Sequence, residues 1–146
     1  MSSYKAISWA FPLYCTVMQR KKQMRHFNPS SKHPERALQA WQILINAAMN
    51  RQTLTYKGLS ILMYKKPAAG VLDKILGHIA FYCIDNDLPP LTSIVVGKGR
   101  GTPGKDIPLD EEADIDRERE DVYENDWYDI FPPSVRELNE SFENNK

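Results

Sequence analysis

The stretch from Pro67 to Asp87, PAAGVLDKILGHIAFYCIDND, limits most tightly what this chain can build. Val71, Leu72, Ile75, Leu76, Ile79, Ala80 and Cys83 recur at helical spacing and make a broad apolar stripe. The other face carries Gly70, Asp73, Lys74, Gly77, His78 and Phe81. Lys74 and His78 are four residues apart and so neighbour each other there. Each helical glycine costs about 1 kcal/mol relative to Ala. Close approach of a partner, or packing of Gly77 against a bulky neighbour, would offset that cost. DLPP then ends the helix, because a residue before proline resists helical geometry.

Two helices precede this one. NPSSKHPERALQAWQILINAAMNRQ has Ser30 or Ser31 as a cap, Pro34 early and Glu35 at the positive helix end. Its apolar face is Ala37, Trp41, Ile43, Leu44 and Ala47 or Ala48. A shorter helix is predicted over Thr55–Tyr64, capped by Thr55. After the third helix, TSIVV has the β-branched run of a buried strand. GKGRGTPG follows as a flexible basic loop, and KDIPL reads as a returning strand. Three helices, a strand and a basic loop form the order of a winged helix-turn-helix. The expected fold is α+β, mainly α: a winged helix-turn-helix-like core with a short β-hairpin wing and an acidic C-terminal helical segment.

The span Ala40 to Gly104 resembles the alkyltransferase-like winged-helix domain, the DNA-binding part of alkylguanine-DNA alkyltransferases. The resemblance rests on AWQILINAAMNRQTLTYKGLS, PAAGVLDKILG, DLPP and SIVVGKGRGTPG. It implies a winged-helix fold and duplex binding. The family's reactive Pro-Cys-His-Arg run is replaced by PPLTS, so alkyl transfer is excluded on chemistry. Gly70 or its neighbours stand where the family places its base-replacing arginine, which removes the support for base flipping. LPPLTSIVV with NDWYDIFPP is also similar to a pattern in small bacterial and phage proteins.

Charge divides the chain although its net value is zero. Residues 1–109 hold 15 Lys and Arg against 5 Asp and Glu, whereas residues 110–146 hold 4 against 14. Three segments follow: 1–30, apolar then basic; 31–109, the winged-helix-like core; and 110–146, an acidic helix, an aromatic plug and a last helix packed on the core. DEEADIDREREDVYEND reads as the acidic helix, with Ile115 and Val122 as its apolar anchors. In WYDIF, Trp127, Tyr128, Ile130 and Phe131 are expected to bury together. A last short helix begins at Pro133 or Ser134.

The candidate contacts to duplex DNA are Lys74, His78, Lys98, Arg100 and Lys105, with Gly97, Gly99 and Gly101 allowing close backbone approach. A solvated hairpin with ordinary surface charge is the competing reading. Arg20, Lys21, Lys22, Arg25, Lys32 and Arg36 make a second basic patch, equally readable as a solvated turn. The acidic helix, through Glu118, Glu120 and Asp121, either masks the basic loop or binds a basic protein partner. The rival function is accordingly an interaction module: an immunity protein, antitoxin or inhibitor of phage or mobile-element type.

Other chemistries lack their residues. The loop has no Lys-Ser/Thr pair and no helix after it, so it is not a P-loop. His26, His33 and His78 make no metal set, and the acidic run lacks the EF-hand glycine and terminal glutamate. No nucleophile-base arrangement stands out, so no enzyme, cofactor or metal is expected. Cys15 and Cys83 sit in apolar runs without CxxC spacing, which suits a reducing cytoplasm. AISWAFPLYCTVM is interrupted by Pro12 and too short for a membrane span, so it reads as a packing or docking segment.

Overall fold

The computed structural model of the protein describes residues 23–27, 33–97 and 115–146. By internal contacts the chain divides into Met1–Ser30 and Ser31–Lys146. Residues 23–27 of the first unit are exposed and have no regular structure. The described helices and strands all belong to the second unit. The N-terminal apolar run, the expected caps Ser30 and Ser31, the glycine-rich loop and KDIPL lie outside the described residues.

Helix α1 (His33–Met49) carries Glu35 in its first turn and buries Ala37, Ala40, Trp41, Leu44, Ile45, Ala47 and Ala48. The expected face holds, except that Ile45 is buried and Ile43 is half-buried. The helix stops at Arg51, whose left-handed backbone (φ 54°) turns its own N–H onto the Ala48 carbonyl at 3.0 Å.

Strand β1 (Leu54–Thr55) runs directly into α2 (Tyr56–Tyr64). Thr55 caps α2 as expected, its hydroxyl accepting from the Gly58 N–H at 2.9 Å. A Cβ at Gly58 would stand 3.0 Å from that oxygen, so a side chain there would crowd the cap. Lys65, at φ 61°, closes α2 by donating its N–H to the Ile61 carbonyl at 2.8 Å.

The third helix starts later than its sequence suggests. A 3-10 turn (Ala69–Val71) leads into α3 (Leu72–Asp85), which buries Leu72, Ile75, Leu76, Gly77, His78, Ile79, Ala80, Tyr82 and Cys83. TSIVV is mostly not strand. Leu91–Ile94 form a buried 3-10 turn, and β2 is confined to Val95–Val96. Among the described residues the strand pairing is parallel, Leu54 with Val95 and Thr55 with Val96. The β1 ladder is cut short because Thr55 must turn aside to cap α2.

Helix α4 (Ile115–Glu124) buries Val122, and α5 (Val135–Asn145) buries Leu138 and Ser141. Ser134 caps α5, accepting from the Glu137 N–H at 3.1 Å. The main helix contacts are α3 with α5, α1 with α3 and α1 with α5, while α4 lies against the Leu91–Ile94 turn. Trp41 of α1 centres this packing. It meets Tyr82 and Trp127 edge to face, each with ring centroids 5.6 Å apart. Among the described residues the fold is thus mainly helical with one small sheet.

The aromatic plug is only partly a plug. Trp127 is buried and its indole N–H donates to the Val122 carbonyl at 2.7 Å. Ile130 packs at the core's edge, but Tyr128 and Phe131 face solvent. Pro133, two residues after Phe131, is buried as well.

Candidate nucleic-acid interface

The segment expected to bind consists of α2, the turn through Ala69–Val71, and α3. Lys74 projects into solvent near the start of α3. His78, one turn later, does not: it is 2% exposed. Its imidazole stacks on Phe142 of α5 and meets His33 of α1 edge-on at 6.4 Å. The sequence placed His78 on an open face beside Lys74, and that reading is corrected. The two residues are indeed adjacent, since the His78 Nδ1–H donates to the Lys74 carbonyl at 2.6 Å. The face they begin is then closed over by α5.

Gly77 has the same explanation. A Cβ there would lie 3.4 Å from Phe142 Cε2, an ordinary contact, so a ring of the same chain covers Gly77 and would still admit a methyl but not a larger side chain. Burial pushes the His78 imidazole below its ordinary value. The Lys74 carbonyl opposes this shift, His33 adds to it and Glu143 opposes it. The side chain is held neutral, a poor group for a phosphate.

Lys98, Arg100 and Lys105 lie outside the described residues. The strand that leads to them does not. Val96 pairs with Thr55, so β2 ends beside the cap of α2, and the sequence continues through Gly97 into Lys98. Lys57, Lys65 and Lys66 of the α2 region are exposed as well. The sequence reading passed over them, although their four-residue spacing from Ile61 and Leu62 was visible in YKGLSILMYKK. Arg36, assigned to a basic patch, lies over the Tyr64 ring at 4.6 Å and donates to Gln39 at 3.0 Å.

Of the acidic candidates, Glu120 pairs with Arg51 at 2.8 Å, Asp121 is exposed and Glu118 is half-buried. Arg119 donates to the Ser93 carbonyl at 2.9 Å, tying α4 to the turn that feeds β2. The Arg51 guanidinium is raised by its bond to Glu120, but in open solvent such a pair adds little.

Burial pushes the Cys83 thiol up to about 12, so the nucleophilic thiolate is suppressed. No group of three metal-ligating side chains occurs among the described residues. No described helix is long and apolar enough to cross a membrane. Compared with protein-family models, curated proteins and solved structures, the chain matches none.

Proposed function

We propose that this is a non-enzymatic, winged-helix-like cytoplasmic protein that contacts duplex DNA through Lys98, Arg100, Lys105 and Lys74. The reading rests chiefly on the Thr55–Val96 pairing, which ends β2 at the cap of the helix-turn-helix, where the sequence continues into the basic loop. The order helix, strand, helix, helix, strand accords with the resemblance to the alkyltransferase-like domain. His78 takes no part, because it is enclosed. The contact is therefore limited to the first turn of α3 and the loop, and it addresses phosphates rather than bases.

In this reading the acidic helix is an electrostatic mask. Its support is the attachment of α4 to the Ser93 carbonyl and to Arg51, close to the origin of the loop. The competing role, a handle for a basic protein partner, is supported by the exposure of Asp121.

Salt-titrated binding to duplex DNA tests the proposal. Lys98→Ala with Arg100→Ala weakens binding and flattens the salt slope, since fewer counterions are released. Glu118→Gln, Glu120→Gln and Asp121→Asn together raise affinity at low salt if α4 masks the loop. Absence of duplex binding at low salt in both the parent and this neutralised variant sinks the DNA reading.

A further inference from the structure

We infer that the chain associates with a second copy of itself head to tail. The turn Tyr128–Phe131 of one copy seats on the lysine-rimmed apolar face of α2 in the next.

The turn is built to project. Trp127 before it is anchored by burial and by its bond to the Val122 carbonyl, and Pro133 after it is buried. Between these anchors Phe131 is 94% exposed and Tyr128 62%. The Tyr128 N–H donates to Asp126 Oδ1 at 3.2 Å, and the Asp129 N–H donates to the Asp126 carbonyl at 3.2 Å. These bonds hold the backbone at the start of the turn, which lowers the ordering cost of binding. Asp126 and Asp129, neighbours of the rings in the sequence, are exposed.

The α2 face has the complementary pattern. Leu62 is 61% exposed, Ile61 43% and Val71, in the turn that packs beside α2, 43%. Lys57 stands one turn before Ile61, Lys65 closes the helix one turn after it and Lys66 follows directly, all exposed. An apolar centre with cationic edges therefore faces an aromatic centre with anionic edges. Both surfaces are open in the single chain, so they do not satisfy each other within it. Because the two surfaces differ, the contact is heterologous, and each added copy leaves one of each free, giving a ring or an open chain. The inference is independent of DNA binding, since Lys74 and the basic loop are not used.

Sedimentation equilibrium of the full chain without nucleic acid tests it. The expected result is a mass rising above monomer with concentration, more strongly at low salt than at high salt. Phe131→Ser and Leu62→Glu each remove one surface at a solvent-exposed site, with folding checked by circular dichroism. Each variant alone loses all mass above monomer. An equimolar mixture of the two forms a 1:1 dimer and nothing larger, because one intact turn and one intact face remain. A parent that is monomeric throughout overturns the inference. So does self-association that survives Leu62→Glu, which would mean the turn pairs with itself or seats elsewhere. A monomer that instead binds anionic phosphatidylserine vesicles through Leu62 also overturns it.

Discussion

The imidazole of His78 lies flat on the ring of Phe142, with centroids 4.1 Å apart and planes within 4° of parallel. This stack joins α3 to α5 and covers the glycine beside it. It also covers the part of α3 around His78 that would otherwise be open to solvent.

A pH dependence follows from the enclosure. The folded chain holds His78 below the ordinary value of 6.5, chiefly by burial, so the unfolded chain binds its proton first as pH falls. Stability from this group is complete above that ordinary value and is lost as pH drops from there to the lower folded value. His78→Phe removes this component. Urea unfolding between neutral and mildly acidic pH, comparing parent and variant, measures it; an equal acid slope in both contradicts the assignment.

Gly77 gives a two-sided expectation. Gly77→Ala adds a methyl at ordinary contact distance from Phe142 and gains helix propensity, so stability is unchanged or rises by up to about 1 kcal/mol. Gly77→Leu drives Phe142 off and costs about 1–3 kcal/mol. Denaturant midpoints for the pair distinguish close packing from a purely conformational role.

Trp127 and Phe131 are four residues apart and differ sharply in energetic weight. Trp127→Ala removes a buried indole from the Trp41 contact and costs about 3–5 kcal/mol. Phe131→Ala, at a solvent-exposed site, changes stability by about 0.5 kcal/mol or less. Thermal unfolding at low protein concentration, where copies do not associate, makes the comparison.

Cys83 is expected to resist alkylation in the folded protein. Its thiol is enclosed and pushed up to about 12, so little thiolate forms at neutral pH. Labelling with iodoacetamide proceeds at the rate of unfolding and accelerates in urea. Rapid labelling of Cys83 under native conditions would contradict its burial.

Local chemistry made much of this structure legible in the sequence. Thr55 and Ser134 cap their helices because a hydroxyl at that position needs only its own next turn. The apolar stripe of α3 from Leu72 to Cys83 follows from helical spacing, whereas Val71, expected in it, lies in the turn before the helix and is 43% exposed. Tertiary packing decided what periodicity does not encode, namely which neighbour covers which face. Gly77 and His78 are on the polar side of α3 by pattern, yet α5, whose caps and stripe say nothing about its docking site, brings Phe142 onto them. Likewise Trp127, Tyr128 and Phe131 are alike as apolar residues in sequence. The structure packs Trp127 edge to face on Trp41 and leaves Tyr128 and Phe131 in solvent, a choice that composition does not encode. TSIVV had the composition of a strand, but a strand needs a partner along its length, and the β1 it met is two residues long.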